Sequence, residues 1–385
     1  MPSLTLYHLT PKSAFHLGQR GVGLEETSVH LPSDTLFAAL VASQVELSGE
    51  ADSLLAPFQP AQHAPFLLTS AFPRAGRVRF YPALPLSQLN LPATLKVERL
   101  KELKRIQFIS ETIFERASQG EALEAWLPAK DEAGISASDQ GLYLHGRSLW
   151  LTASEAADLP PAWQQKGKID QFYRALRHRP VWRVAKVPRV TVDRRRNASN
   201  LFYVGRLSFS PGCGWWFGLA WQQAEHPLQG KISQLLQQLE DVGLGGERAA
   251  GFGHFAAEMM GTRAWDGPAH GELFVTLSRY HPRSAEELAA ATGDEAAAYK
   301  LVSVGGWFHS TQAHTRSQAK AQRRRRLWFM AEGSVLRAGS DGPWGEIVDV
   351  RPAYDEPNHF PHPVWRYGLA CPVRLARTDE TIGGS

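Results

Sequence analysis

Cysteine is nearly missing from this chain: Cys213 and Cys371 are the only two, and they lie far apart. Two such residues build neither a disulfide framework nor a zinc site, and their scarcity suits a reducing compartment. Long apolar runs are missing as well. The longest, Trp215 to Trp221, falls well short of the ~20 residues that a membrane span needs. Met-Pro-Ser-Leu-Thr at the start has neither the charged head nor the apolar core of a signal peptide. These absences predict a soluble, cytoplasmic protein with no membrane partner.

Signatures of catalysis are equally scarce. There is no Gly-x-Ser-x-Gly elbow, and neither cysteine has a nucleophile's surroundings. His359-x-x-His362 comes nearest to a metal-ligand pair, but it sits between prolines and reads as a polar turn. His16, His281 and His309 are isolated. His30 and Asp34 could act as base and acid in RNA cleavage, yet Asp34 stands where a helix N-cap belongs. No catalytic residue, metal or cofactor is expected.

Glycine and positive charge are present in telling places. Gly243-Leu-Gly-Gly-Glu-Arg-Ala-Ala-Gly-Phe-Gly-His-Phe255 follows an amphipathic helix, in which Ile232, Leu235, Leu236, Leu239 and Val242 recur at helical spacing. A dinucleotide-binding loop runs the other way, from strand to glycines to helix. Gly246 and Gly251 have the outer spacing of a P-loop, but Phe252-Gly253 stands where Lys-Ser/Thr must be. What remains is a helix–glycine loop–strand that lets backbone amides approach a partner closely, with Arg248 beside them; an extended phosphate backbone fits it. A tight turn that serves only the fold is the bland alternative.

Overall charge is close to balanced, with 42 basic and 38 acidic residues. Its distribution is not. Lys166 to Arg196 carries eleven Lys/Arg against Asp170 and Asp193, and Arg316, Lys320 and Arg323 to Arg326 form a second basic block. Such local fields attract polyanions, nucleic acid foremost, although one basic run by itself is often a solvated loop. Within the first block, Pro188 to Asn200 alternates Val190 and Val192 with Arg189, Thr191 and Asp193, as one arm of an extended hairpin with a basic tip would. Arginine grips phosphate, while Thr191, Asn197 and Ser199 can bond sugars and base edges. Phe172, Tyr173, Trp182, Phe202 and Tyr203 are interleaved nearby, as in single-strand binding surfaces. Of the tryptophans, Trp182 is expected to be the least buried, since it lies in the charged segment.

Strand–helix–strand patterns occur in both halves. Leu4–Leu9, Phe66–Phe72, Val78–Leu84, Leu201–Phe209, Trp215–Trp221, Glu272–Tyr280 and Tyr299–Val304 read as strands. Leu201–Phe209 and Trp215–Trp221 are joined by a Ser-Pro-Gly-Cys-Gly turn as a hairpin. A helix from Ser33 buries Leu36, Phe37, Leu40, Val41 and Val45, and Ser284 with Glu287 caps another that runs to about Ala298. The fold class is α+β, with a β-α-β-β-α-β unit in each half.

Taken together and in order, these pieces resemble a known family. Tyr7 to Gly18, Arg20 to Glu26, Ser33 to Leu36, Pro188 to Arg194, Gly243 to Phe255 and Gly306 to Ser310 are similar to subunit four of the Csm complex. So are Glu332 to Leu336, Gly345 to Asp349 and His362 to Gly368. That subunit is the RAMP-type protein of type III-A CRISPR effectors. The resemblance spans nearly the whole chain. It implies two ferredoxin-like (RRM-like) domains, a basic β-hairpin thumb and no catalysis. The expected organisation is an N-terminal domain over 1–160 with a polar insertion near 117–141, a basic thumb segment over 161–200, a second domain over 201–376 and a frayed tail over 377–385.

It further implies that the chain captures the 5′ handle of CRISPR RNA. Docking is implied to the large polymerase-bearing signature subunit and to a neighbouring RAMP backbone subunit. Carried over, the handle-binding residues are Gly243, Gly245, Gly246, Arg248, Gly251 and Gly253 in the glycine loop. In the thumb they are Arg189, Thr191, Arg194, Arg195 and Asn197, and His16 and Arg20 of the N-terminal loop add a third contact. The Arg323–Arg326 run has no place in the family pattern. Two other functions compete: a RAMP-fold endoribonuclease with His30 or His16 as base, and the equivalent subunit of a type III-B complex.

Overall fold

A computed structural model describes residues 3–18, 25–59, 63–128, 141–164, 169–193, 198–264, 267–307, 323–351 and 362–377. It is α+β. A nine-stranded sheet dominates, in the order β11-β1-β10-β3-β4-β5-β7-β6, with β2 also on β10. Its strands are β1 (Ser3–Pro11), β2 (Phe66–Leu68), β3 (Phe72–Ala75), β4 (Val78–Pro82), β5 (Phe108–Ser110), β6 (Gly141–Leu144), β7 (Leu149–Thr152), β10 (Cys213–Trp221) and β11 (Phe255–Ala264). Only the β5–β7 pairing is parallel within it.

Helix α1 (Ser33–Ser48) follows β1, and short helices α2 (Asp52–Leu55), α3 (Ala93–Glu98) and α4 (Leu100–Leu103) precede α5 (Glu111–Ser118). Next come α6 (Ile169–Arg177) and α7 (Leu228–Val242). Helix α1 buries Leu36, Phe37 and Leu40, and α7 buries Ile232, Leu235, Leu236 and Leu239, as their spacing requires. Val45 departs from the expected face and is exposed, while Ser43 and Gln44 beside it are buried. The two helices meet where the Ser43 hydroxyl donates to Gln238 Oε1 at 2.9 Å.

Strand β10 is buried along its whole length, so its sequence is a near-continuous apolar run instead of an alternation. Trp215 packs edge-on to Phe15 on one side. Trp216 tilts against Tyr81 at 4.5 Å on the other, and Tyr81 stacks on Phe114 of α5. Both edges of β10 are taken, by β1 on one side and by β2 and β3 on the other, and one expectation fails for that reason. Leu201–Phe209 does not pair with Trp215–Trp221. It belongs to β9 (Ala198–Phe209), which pairs over its full length with β8 (Trp182–Asp193). The two make a separate two-stranded ribbon that leaves the sheet at its root. Trp182 marks that root: it is buried, with its ring 3.9 Å from that of His145. The expectation that it would be the most exposed tryptophan is wrong, because its position at the start of the ribbon puts it under the body of the protein.

Residues 269–377 contain a smaller sheet, in which β12 (Leu273–Thr276) lies between β15 (Val335–Arg337) and β18 (Pro372–Leu375). Helix α8 (Ala285–Thr292) packs beside β15 and stops well before Ala298, since Gly293 ends it. Its Ser284 N-cap accepts the Glu287 amide as expected. Two ribbons flank this sheet: β13 (Leu301–Trp307) with β14 (Arg323–Met330), and β16 (Ile347–Asp349) with β17 (Trp365–Tyr367).

Sheet pairing crosses the expected domain boundary. Strands β10 and β11 lie in the stretch assigned to the second domain, yet both pair with β1. The first sheet is therefore completed from residues 213–264, and the division at 160 and 201 does not follow it.

A buried polar cluster ties the two parts together. Asp34 is fully buried; its Oδ1 accepts from Arg279 Nη1 at 2.9 Å and its Oδ2 lies 3.6 Å from Arg366 Nη1. Asp34 is not an N-cap: Pro32 holds that position, without a side-chain bond. Beside it His30 Nε2 lies 2.8 Å from Glu332 Oε1, and the Ser70 hydroxyl donates to the same carboxylate. Burial alone would raise the Glu332 carboxyl. His30, Arg279 and Ser70 outweigh it and hold the group down at about 2.

Candidate nucleic-acid interface

Helix α7 ends at Gly243, whose φ of 85° turns the chain out of the helix, and the loop then folds back against residues 14–17. Gly246 N–H donates to the His16 carbonyl at 2.8 Å, and Gly253 N–H to that of Ala14 at 2.8 Å. Leu244 N–H donates to Gly253 at 2.9 Å and closes the neck of the loop. Close approach is the reason for two of the glycines. A Cβ on Gly245 would lie 2.5 Å from the His16 carbonyl oxygen, and one on Gly253 would lie 2.5 Å from that of Leu244.

The expected amide cradle is thus reduced. The N–H groups of Gly243, Gly246, Gly251 and Gly253 are all taken by the chain's own carbonyls. Among the described residues, those of Gly245, Glu247, Arg248 and Ala249 make no such bond. Glu247 has a φ of 59° and turns this stretch toward solvent, where Gly245, Gly246, Arg248, Ala249, Ala250 and Gly251 are exposed. These four free amides and the Arg248 guanidinium form a compact donor surface.

His16 also departs from expectation. It is buried, and its Nδ1 lies 2.9 Å from the carbonyl of Gly205 on β9. It therefore braces the ribbon root against the glycine loop. Phe15 reinforces the brace through reciprocal backbone bonds with Leu207, both 2.8 Å. Arg20 lies outside the described residues, as do Arg194, Arg195 and Asn197.

Register divides the ribbon into two faces. Arg183 opposite Ser208, Ala185 opposite Arg206, Arg189 opposite Phe202 and Thr191 opposite Asn200 share one face. The other carries Pro188 opposite Tyr203 and Val190 opposite Leu201. Val190, Val192, Leu201 and Tyr203 are all exposed there. The polar face turns to the glycine loop: Arg189 Cζ lies 5.6 Å from the centre of the Phe252 ring, within cation–π range. Thr191 continues that face, exposed, toward the tip. Lys186 reaches Glu25 and Glu26 at 3.5 and 3.9 Å, but these groups are half exposed and their attraction is weak. Among the described residues, Arg183, Arg189, Arg206 and Arg248 have no carboxylate within ion-pair distance. The sequence reading missed Phe252 as the seat of Arg189, and Arg183 and Arg206 as cations of the same face. Strand alternation would have grouped the latter pair, whereas the Phe252 contact is visible only in space.

The arrangement presents amide donors and guanidinium groups, the chemistry of anion binding. Among the described residues no group of His, Cys, Asp and Glu could hold a metal ion. Both cysteine thiols are buried and pushed up by that burial, Cys213 to about 12. The geometry also makes Gly245 a sensitive position. Gly245→Ala should lower the stability to denaturant by about 2 kcal/mol or more, since a positive φ costs 1–2 kcal/mol and the clash with His16 adds to it. Gly251→Ala, at a φ of 81° but with open space around it, should cost only about 1 kcal/mol. Equal midpoints in urea for the two variants would contradict the close packing of loop on brace.

Residues 269–375 match the profile of the CRISPR Csm4 C-terminal domain. The chain carries a Csm4 C-terminal domain. This bears out the resemblance read from the sequence, and the match coincides with the smaller sheet and its ribbons. Among curated protein sequences none matches the chain at a significant level. Solved structures similar in fold cover nearly all of it. One is from a crystal structure of a Csm3–Csm4 subcomplex of the type III-A CRISPR-Cas interference complex, with a TM-score of 0.58 and 16% identity over 98% of this chain and 100% of that one. Another is from a Csm1–Csm4 cassette in complex with cA4, with a TM-score of 0.52 and 17% identity over 97% and 98%. At such identities the likeness is one of fold, and it covers 97–98% of this chain. No helix among the described residues is long and apolar enough to cross a membrane.

Proposed function

We propose that the chain is a non-catalytic RNA-binding subunit of a type III-A CRISPR interference complex. In this reading it anchors the 5′ handle of the guide RNA and bridges the large signature subunit, Csm1, to the Csm3 backbone. The observation that carries it is the seat of Arg189 on Phe252. It puts the polar face of the ribbon and the exposed amides of the glycine loop beside one another, and Arg189 and Arg248 there have no carboxylate within ion-pair distance among the described residues. A ribose-phosphate chain laid across both would meet arginine on one side and free amides on the other. The ribbon is then the thumb. The first ferredoxin-like unit is β1-α1-β2/β3-β10-α7-β11; its spatial order β11-β1-β10-β2 supports that assignment, with the thumb inserted between its middle strands. The second unit is the Csm4 C-terminal domain. The cellular site is the cytoplasm.

An endoribonuclease is disfavoured by the placement of its two candidate bases. His16 is buried against Gly205, and His30 is engaged with Glu332. The test joins assembly to chemistry. Co-expressed with its neighbouring operon products, the tagged chain should retrieve Csm1- and Csm3-type partners together with guide RNA. Purified and incubated with repeat RNA without metal, it should leave the RNA intact. A defined cut that disappears in His30→Ala, or a chain recovered free of both partners and RNA, would overturn the proposal.

A further inference from the structure

The basic block at Arg323–Arg326, which the handle-binding reading does not use, forms strand β14 of the second ribbon. Register pairs Leu301 with Met330, Val302 with Phe329, Ser303 with Trp328 and Val304 with Leu327. Alternation then places Arg326 and Trp328 on one face of β14, with Ser303 opposite Trp328. Phe329 is buried and Leu327 half-buried on the other face, where Arg325 Nη2 donates to the Asp349 carbonyl at 2.7 Å. One side of the ribbon is therefore held against the body of the protein. On the other, Met330 at the end of the strand is buried, while Trp328 is 56% exposed, Leu301 is 51% exposed and Arg326 is exposed. The Trp328 ring has no aromatic neighbour among the described residues, and its strand is held in place through the backbone, where the Trp328 carbonyl lies 2.8 Å from His281 Nδ1.

Charge decides what such a face would take. Several arginines elsewhere in the fold have carboxylate partners, as Arg79, Arg99, Arg263, Arg283 and Arg374 do. Among the described residues Arg324, Arg325 and Arg326 have none within ion-pair distance. A solvent-facing indole on the same strand face as the exposed Arg326 guanidinium matches a single-stranded nucleic acid, whose bases present π-faces and whose backbone supplies regularly spaced anions. We propose that the β13–β14 ribbon is a second RNA-binding surface, on which a base of single-stranded RNA stacks on Trp328 while its phosphate meets Arg326. Arg324 and Arg325 add to the local field; both also bond main-chain carbonyls, Gly305 and Asp349, and hold the ribbon's shape.

The proposal is tested on the full chain by fluorescence anisotropy with a labelled oligouridine, over a series of salt concentrations. Trp328→Ala should weaken binding about tenfold, the loss expected from removing one base–aromatic stack, and Trp328→Phe should restore most of it. Arg326→Ala should reduce the slope of log K against log salt by about 0.7, the value for one single-strand phosphate contact. Both side chains are exposed, so the fold should survive; an unchanged thermal transition checks this. Unaltered affinity and slope in both variants would overturn the proposal. So would intact RNA binding with loss of a co-purifying protein subunit, which would make the face a protein-docking surface. Variants at Arg189 and Arg248 separate this inference from the handle reading. A loss confined to Trp328 and Arg326 supports the ribbon alone, and a loss confined to Arg189 and Arg248 rejects it.

Discussion

The double variant Arg189→Ala/Arg248→Ala should bind repeat-derived handle RNA about ten- to hundredfold more weakly than the parent chain at low salt. Each arginine is placed to make one charge-assisted bond to phosphate, worth about 1.5–3 kcal/mol where water is excluded and less where the group is solvated. Arg248 is exposed and Arg189 half-buried on Phe252, so the lower part of that range applies to the first and the upper part to the second. Loss of two phosphate contacts should also reduce the salt slope by about 1.4. Arg189→Lys is a useful intermediate: it keeps the charge but loses the planar fork and the stacking on Phe252, so affinity should fall with little change in slope. Titration of labelled handle RNA at several salt concentrations reads both quantities. If the double variant retained parental affinity and slope, the shared surface of ribbon and glycine loop would not be the RNA site.

Asp34→Ala should be the most destabilising single substitution near the join of the two sheets, costing about 3–5 kcal/mol. Asp34 is fully buried and faces Arg279 and Arg366 at once, so its removal strands two guanidinium groups away from water. Arg366 is the more vulnerable. Burial pushes its guanidinium down, Asp34 opposes that, and Arg279 adds like-charge repulsion. Without Asp34 only the unfavourable influences remain. Urea unfolding followed by intrinsic fluorescence measures the change. A cost below about 1 kcal/mol would mean that water reaches the cluster and that the pairs are no stronger than surface ones. Because Asp34 joins α1 to segments around Arg279 and Arg366, the same variant should also loosen the Csm4 C-terminal domain from the large sheet.

Local patterns carried much of this protein. The spacing of Leu36, Phe37 and Leu40 placed α1, and that of Ile232, Leu235, Leu236 and Leu239 placed α7. The glycine loop after α7 was legible because helix termination and positive φ have direct residue signatures. The alternation of Arg189, Thr191, Val190 and Val192 marked a ribbon arm with unlike faces. Errors arose wherever partners lie far apart in the chain. Leu201–Phe209 and Trp215–Trp221 both look like strands, and a turn motif between them suggested a hairpin. Yet one pairs backward with β8 and the other across the sheet with β1. Trp182 is buried among charged sequence neighbours, and such neighbours do not reveal which residues cover a side chain in space. Asp34 was read as a cap because its two arginines are more than two hundred residues away.

By itself, then, the sequence determined which stretches are helix, strand or glycine loop, where positive charge is concentrated, and to which family the chain is similar. These depend on side-chain periodicity, backbone sterics and composition, all of which act within a few residues. Only the tertiary structure decided that His16 is a brace, that four of the loop's glycine amides are already spent, and that Arg189 rests on Phe252. It also decided that residues 213–264 complete the first sheet. Each of these is a contact between distant segments, set by the packing of buried faces against one another, and local preferences do not encode which faces will meet.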